Sequence, residues 1–291
     1  MRHALVFGGS GQIGRPLLGL LRRDGWRVSA LSRSPQTDQP GLHWLQGGFD
    51  AMPNLPAGVD VVVSCGPLDG FASWYRDARL RAPRVVAFGS TSVDTKLGSA
   101  DAHERDVARR LRDAEASLFV EAAERDAAAT VLRPTLVYGA GRDATLTRIA
   151  ALARRWRRFP LPRGANGLRQ PVHVDDLAAA AFASMGSSVT HGRAYALPGG
   201  ETLAYREMVA RVLAALDPPP AMIELPSPLF NLALLAAQAS GRASGLGEAA
   251  VRRMRNDLVF DATPARRDFG YAARDFAPTA AMFEPRGDEA A

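Results

Sequence analysis

The sequence contains almost no cysteine and almost no lysine. Its single cysteine, Cys65, excludes an internal disulfide and a metal site built from several cysteines. Of the 36 basic residues only Lys96 is a lysine, and the others are arginines. This bias, together with abundant alanine, is typical of a GC-rich genome, and the very high side-chain pKa of arginine inflates the calculated pI of about 10.2, while the net charge of +6 is modest for 291 residues. We therefore do not expect nucleic acid as a partner.

Long apolar runs are also missing. The longest lies near residues 229–237 and is far shorter than the roughly 20 residues that cross a bilayer. The N-terminal residues lead directly into a glycine turn and lack the apolar segment and cleavage site of a signal peptide. The composition, 47% hydrophobic and 23% charged, is that of a chain with a real core. We expect a cytoplasmic protein without membrane contact.

The first half of the sequence alternates short β-branched runs with longer helical patterns, which predicts βαβ units and a parallel sheet. The segment between the second and third strands is too short for a full helix. After about residue 140 the alternation weakens, and helical segments are separated by turns rich in proline and glycine. Strands are predicted at residues 3–7, 27–31, 42–45, 59–64, 84–88 and 130–132, and helices at 13–23, 71–80, 102–125, 144–157, 174–185, 203–216 and 229–240.

A glycine-rich loop, GGSGQIG at residues 8–14, follows the first predicted strand and opens the first predicted helix. Glycines at this point permit a tight turn and let a pyrophosphate approach the backbone N–H groups at the start of the helix. Because both flanking elements are present, the motif predicts a dinucleotide site rather than a purely structural turn. The predicted cofactor-binding residues of the loop are Gly8, Ser10, Gly11, Gln12, Ile13 and Gly14.

The end of the second strand indicates which nicotinamide dinucleotide binds. An NAD site usually places an acidic residue there for the ribose hydroxyls, whereas an arginine suits the 2′-phosphate of NADP. Here the strand ends in Ser32-Arg33-Ser34, without an acid. We expect NADP as the cofactor, with Arg33, Ser34 and Ser10 near its phosphate, and NAD as the second choice. The alternative is that Arg33 is one more solvated arginine.

Further motifs follow in a characteristic order. GSTSV at residues 89–93 comes after the fifth predicted strand, and RPTLVYG at 133–139 after the sixth. HVDDL at 173–177 and YALPGG at 195–200 come next. In these motifs and the glycine loop, the sequence resembles the extended or atypical branch of the short-chain dehydrogenase/reductase superfamily, related to the NAD-dependent epimerases/dehydratases. The resemblance covers roughly residues 3–215.

The resemblance implies an α/β fold, a Rossmann-type doubly wound parallel sheet with a small C-terminal substrate lobe. Residues 1–165 would form the dinucleotide-binding domain, with contributions from about 171–200. Residues 201–291 would form the lobe, interleaved with 140–170. The substrate would be a small molecule held above the carboxyl ends of the strands.

The resemblance also assigns further site residues. Cys65 and Gly66 would pass beneath the cofactor, and Pro134 and Val137 would line its nicotinamide end. Arg169 and His173 are candidate substrate residues; the alternatives are a solvated arginine cluster and a structural histidine. No metal site is expected at the HVDDL motif.

The catalytic residues are where the sequence departs from this family. The family uses a Ser or Thr together with a Tyr and a Lys, the last two in a Y-x-x-x-K motif on the helix after the fifth strand. Ser90 stands at the Ser/Thr position, with Thr91 beside it. None of the five tyrosines has a lysine four residues later. If Glu115 matches the family glutamate of that helix, Val107 and Leu111 occupy the Tyr and Lys positions.

Three explanations are open for the missing pair. Another acid could serve, with Lys96, His103 and Glu104 as candidates, and Lys96 the one we favour. Hydride transfer could instead proceed with little proton help from a side chain. Alternatively, the protein could bind NADP as a sensor or scaffold without turnover. We thus expect an oxidoreductase or epimerase-like enzyme for a small carbonyl, hydroxyl or nucleotide-sugar-like compound, or else a non-catalytic NADP-binding regulator.

Residues 226–238 are apolar around much of their helical circumference. They suit core packing, the surface of a possible homodimer, or an apolar wall for a lipid-like substrate. A membrane-surface helix is disfavoured, because the run carries no basic residues on a polar face.

Overall fold

The computed structural model describes residues 1–239 and 252–284. The strands in chain order are β1 His3–Phe7, β2 Arg27–Ser32, β3 Leu42–Gln46, β4 Val61–Ser64, β5 Arg84–Phe88, β6 Ala128–Pro134, β7 Val137–Tyr138, β8 Arg158–Pro162, β9 Leu168–Arg169, β10 Val172–His173, β11 Arg193–Leu197, β12 Leu203–Ala204 and β13 Ala221–Leu225. The α-helices are α1 Gly14–Arg23, α2 Leu68–Asp77, α3 Ser92–Thr95, α4 Ala102–Ala123, α5 Leu146–Trp156, α6 Val174–Met185, α7 Tyr205–Ala214, α8 Ser227–Ala239 and α9 Thr263–Phe269.

The centre of the fold is a sheet of seven strands in the order β11-β6-β5-β4-β1-β2-β3. All neighbouring pairs in it are parallel. Residues 33–41 connect β2 to β3 without a helix, as the short spacing predicted. The predicted α/β fold with a doubly wound parallel sheet is confirmed.

Both faces of the sheet are covered, because the strand side chains alternate between two hydrophobic clusters. Along β1, Ala4 and Val6 pack on one face with α1 and α6. Leu5 and Phe7 pack on the other face with α2 and α4. The valines of β4 are fully buried in the same way, which explains why that strand is a continuous apolar run.

A third hydrophobic cluster lies beyond the sheet. It joins α5 and α7 to residues of the C-terminal segment, among them Met254 and Phe276. The predicted boundary between the two parts of the chain stays a prediction. No helix in the described parts of the chain is long and apolar enough to cross a membrane.

Candidate functional site

The glycine loop between β1 and α1 has a backbone path that side chains would block. Gly8 adopts a left-handed φ of +69°. A Cβ at Gly14 would lie 2.2 Å from the carbonyl oxygen of Gly8. The Gly11 N–H donates to that same oxygen at 2.9 Å, which closes the turn. The loop therefore brings bare backbone against the start of α1, the arrangement that suits a pyrophosphate.

Polar groups converge on Ser10 at the centre of this loop. Its hydroxyl accepts a hydrogen bond from Ser32 at the end of β2, at 3.0 Å. Its carbonyl accepts from Arg15 at 3.2 Å and from Arg142 at 3.1 Å. Two guanidinium groups thus lie beside the loop, where they would add to the attraction for an anion.

Sequence reasoning missed both of these arginines. Arg15 carried a usable signal, because a cation in the first turn of a helix opposes the helix dipole and needs a reason to be there. Arg142 carried none, because it lies 132 residues from Ser10.

The remaining predicted residues of the loop and the β2 tip are placed as follows. Ile13 is buried in the core. The Gln12 Oε1 atom is buried and has no hydrogen-bond partner in the described residues. Arg33 and Ser34 are exposed at the end of β2. A Cβ at Gly48 would lie 3.4 Å from the Arg33 Cγ, so this stem runs along the loop after β3.

Cys65 and Gly66 run directly below the glycine loop. The Cys65 N–H donates to the Phe7 carbonyl at 2.9 Å. A Cβ at Gly8 would come within 3.2 Å of the Cys65 carbonyl carbon. Burial raises the pKa of the Cys65 thiol to about 12, so the sulfur is a neutral thiol and not a nucleophile.

Ser90 and Thr91 follow β5 and differ in what their hydroxyls can do. The Ser90 Oγ accepts from the Ser92 N–H at 3.1 Å, which leaves its own proton available for donation. The Thr91 hydroxyl donates to the Pro134 carbonyl at 3.1 Å and so joins the ends of β5 and β6. Pro134 and Val137 lie at the end of β6 and in β7.

A cavity of about 510 Å³ lies above these strand ends. Ser90, Thr91 and Lys96 form part of its wall, and α5, α8 and residues 253–260 contribute to the rest. Its lining residues are Ser90, Thr91, Ser92, Thr95, Lys96, Thr135, Leu136, Ala144, Thr145, Arg148, Ile149, Leu152, Trp156, Phe159, Pro160, Arg169, Gln170, Tyr205, Phe230, Leu234, Arg253, Met254, Leu258 and Phe260. Most of this surface is apolar.

The three candidate acids have different surroundings. Lys96 lines the cavity, and its pKa is lowered by burial and then by the nearby Arg253 guanidinium. Glu104 is buried in the first turn of α4, where it pairs with Arg253 and accepts from the Ser99 hydroxyl at 2.7 Å. His103 is exposed on α4. Of the three, only Lys96 can reach a molecule in the cavity.

The register of α4 is set by an ion pair to the sheet. The Arg133 Nε donates to the Glu115 Oε1 at 2.9 Å. In this register Val107 and Leu111 line a small cleft of about 220 Å³ against the loops after β4 and β5. The residues described along this cleft include no tyrosine and no lysine.

Arg169 lines the cavity, but its donors are engaged elsewhere. Its Nη1 donates to the Leu168 and Asn256 carbonyls at 2.7 and 2.8 Å. Its Nη2 donates to the Arg253 carbonyl. The guanidinium also lies 5.3 Å from the centre of the Tyr205 ring. Tyr205 lines the cavity as well, and sequence reasoning missed it.

His173 lies outside the cavity lining. It is buried at the start of α6, where its Nδ1 accepts from the Asp175 N–H at 3.2 Å. The centre of its ring lies 5.1 Å from the centre of the Tyr138 ring, in an edge-to-face contact. The structure therefore groups Ser90, Thr91 and Lys96 with Arg169 and leaves His173 as a helix cap.

Taken together, the sheet order, the glycine loop and the cavity at the carboxyl edge define a Rossmann-type α/β fold. No protein-family model matches the chain. An epimerase from Methanothermobacter thermautotrophicus superposes with a TM-score of 0.68 at 15% identity, over 97% of this chain and 89% of that one. MoeE5, solved with UDP-glucuronic acid and NAD, gives 0.66 at 18% identity, over 94% of each chain. These likenesses confirm the predicted resemblance at the level of the fold.

Two curated relatives are similar in sequence along nearly the whole chain. A 2-alkyl-3-oxoalkanoate reductase of Stenotrophomonas maltophilia is 27% identical over 92% of this chain and 93% of its own length. An uncharacterised protein of Sinorhizobium fredii is 25% identical over 94% of this chain and 75% of its own length.

Proposed function

We propose that the protein is a nicotinamide-dependent oxidoreductase or epimerase-like enzyme acting on a small carbonyl or hydroxyl compound. The carrying observation is the cavity, which contains Ser90 and Lys96 at the same edge of the sheet as the glycine loop. The solved relative with bound NAD and the curated reductase support this class of chemistry.

The glycine loop and the segment at Cys65 would hold the dinucleotide, which supplies the hydride when bound. The bare backbone between Gly8 and Gly14 fits a pyrophosphate, and Arg15 and Arg142 would balance its charge. Pro134 and Val137 would flank the nicotinamide.

We propose NADP rather than NAD, because Arg33 and Ser34 directly follow β2, where an NAD site carries an acid. In a titration we expect NADPH to bind at least about tenfold more tightly than NADH, and Arg33→Ala to erase this preference. Arg23→Ala, exposed at the far end of α1, is the control that keeps it. Equal affinities in the unmodified protein would refute the NADP preference, and failure of both cofactors to bind would refute the cofactor site.

Ser90 and Lys96 would handle the reacting oxygen. In carbonyl reduction the hydride forms a C–H bond and a proton forms the O–H bond. The Ser90 hydroxyl donates a hydrogen bond to that oxygen, and the Lys96 ammonium, its pKa lowered by burial, supplies the proton. Thr91 holds the two strand ends in place. We expect Ser90→Ala and Lys96→Met each to lower substrate-dependent NADPH oxidation by about 10² or more, with NADPH binding unchanged. Full activity in both variants would exclude this assignment.

A non-catalytic NADP-binding regulator is the second candidate. The observation in its favour is the cleft along α4, where Val107 and Leu111 provide no proton donor. Tight NADPH binding without oxidation over a panel of carbonyl compounds and nucleotide sugars would select this function. The possible homodimer stays a prediction, which sedimentation of the purified chain tests.

A further inference from the structure

The cavity next to Ser90 has walls suited to a hydrocarbon rather than to a nucleotide sugar. Phe230 and Leu234, one helical turn apart on α8, both face into it. Ile149 and Met254, which also line the cavity, are 6% and 8% exposed. A nucleotide would need many donors and acceptors around it, whereas these four side chains are apolar.

The charged residues of the lining all carry positive charge. Its charged residues are Lys96, Arg148, Arg169 and Arg253, and the described lining includes no Asp or Glu. Two acids, Asp101 and Glu104, lie nearby but outside the lining. Asp101 caps α4 by accepting from the His103 N–H at 2.8 Å, and Glu104 pairs with Arg253. Lys96 forms no ion pair within the described residues.

Arg169 does not supply the anion site, although the resemblance makes it a candidate substrate residue. Its guanidinium donates to three backbone carbonyls. These bonds tie β9 to residues 253–256 and so shape the cavity wall that carries Arg253 and Met254. Arg169 is a positioning residue.

We propose, on the basis of the function proposed above, that the substrate is an amphipathic carboxylic acid: its hydrocarbon part lies against α5 and α8, and its carboxylate lies at Lys96. Asp101 attracts the half-buried Lys96 ammonium without forming an ion pair with it, so an anion that enters the same apolar space can bind the ammonium directly. The carbonyl or hydroxyl group of such an acid would then lie at Ser90, in the loop that also carries Lys96.

The test is calorimetric titration of the full chain, with and without NADPH, using dodecanoate, methyl dodecanoate and UDP-glucose. We expect dodecanoate to bind at least about tenfold more tightly than its methyl ester, and UDP-glucose not to bind. Lys96→Met should reduce dodecanoate to the affinity of the ester. Lys96→Arg should keep the preference for the acid, since the cation remains. Arg155→Met, exposed on α5 outside the lining, is the control without effect.

Two results would overturn the inference. Equal affinities for dodecanoate and its methyl ester would refute the carboxylate site. Binding of UDP-glucose without binding of dodecanoate would refute the apolar binding surface. The Lys96→Arg variant also separates two roles of this residue. In Lys96→Arg, loss of turnover with an unchanged KM would indicate that Lys96 donates the proton. A KM that is raised in Lys96→Met and not in Lys96→Arg would indicate that Lys96 binds the carboxylate. NADPH binding without dodecanoate binding would leave the proposed function standing and refute only the substrate class.

Discussion

At the scale of the residue, the proposed site depends on positions where neighbouring atoms leave no room for a larger side chain. Gly14 shows this best. A Cβ added there would lie 2.2 Å from the Gly8 carbonyl oxygen and 2.7 Å from the Gly9 carbonyl oxygen. Ser90 shows the converse, since a single N–H occupies its oxygen and leaves its proton for a ligand. The two residues serve different ends of the same proposed reaction.

We expect Gly14→Ala to push the glycine loop away from α1, because backbone atoms cannot yield as a flexible side chain does. The cost should be about 1–3 kcal/mol in the free energy of unfolding, with a larger loss of NADPH affinity. Urea unfolding and NADPH titration measure the two effects.

Gly19→Ala is the matched control on the same helix. Its added methyl group would meet only the end of the Arg23 side chain, at 3.5 Å. It should stabilise the protein by about 0.5–1 kcal/mol, because glycine is a poor helix former. Equal effects of the two substitutions would show that Gly14 has no special role.

At the scale of the element, α4 is held to the sheet by the pair between Glu115 and Arg133. The Glu115 side chain is only 6% exposed and accepts hydrogen bonds from the Arg133 Nε at 2.9 and 3.1 Å. The pair sets the register of α4 and therefore places Val107 and Leu111 along the cleft.

We expect Glu115→Gln to lower the free energy of unfolding by about 3 kcal/mol, because it leaves the partly buried Arg133 guanidinium with only the more exposed Asp94, at 3.3 Å, as a counter-charge. Glu121→Gln on the same helix removes a more accessible pair with Arg125 and should cost less than about 1 kcal/mol. Urea unfolding of both variants checks this difference. Similar values would mean that the Glu115 pair does not hold α4 in register.

Several elements could be predicted closely from the sequence. The bounds of β1, β5 and α6 match the structure residue for residue, because each is a compact apolar pattern with clear ends. The helix predicted at 71–80 begins instead at Leu68, directly after Pro67. The edge strand β11 was missed, because Arg193–Leu197 has no β-branched residue and forms a strand only by pairing with β6.

At the scale of the whole molecule, Asp268 joins α9 to the edge of the sheet. Its carboxylate is only 2% exposed and accepts from the Tyr195 hydroxyl at 2.7 Å. Arg267 and Arg193 flank it. Hydrogen bonds from Arg267 and then Tyr195 lower the pKa of Asp268 to about 2.

This lowered pKa gives a pH dependence with a definite sign. The ionised carboxylate stabilises the folded state above its ordinary pKa of 3.8, and that contribution is lost as the pH falls from about 4 through 2. Asp268→Asn should therefore melt below the unmodified protein at pH 6, with the difference shrinking towards pH 2. Tyr195→Phe, which removes one bond only, should show a smaller effect. A difference independent of pH would refute the assignment.

The sequence by itself determined the fold and the absence of a Y-x-x-x-K pair. Alternating apolar patterns specify a parallel sheet covered on both faces, and a chain whose only lysine is Lys96 cannot carry a Y-x-x-x-K pair. It also pointed to Ser90 and Lys96. Local pattern suffices for these conclusions, because each depends on residues close together in the chain.

Only the tertiary structure decided which of these groups meet, because contacts between distant segments leave no local signal. Arg142 reaches Ser10 from 132 residues away, and Arg169 is bound to carbonyls of residues 253–256 rather than left open for a phosphate. The apolar residues of α8 likewise acquire a role only because Phe230 and Leu234 face the cavity with Lys96. Long-range packing thus places the glycine loop, Ser90 and the apolar residues of α8 around one candidate site for an amphipathic acid.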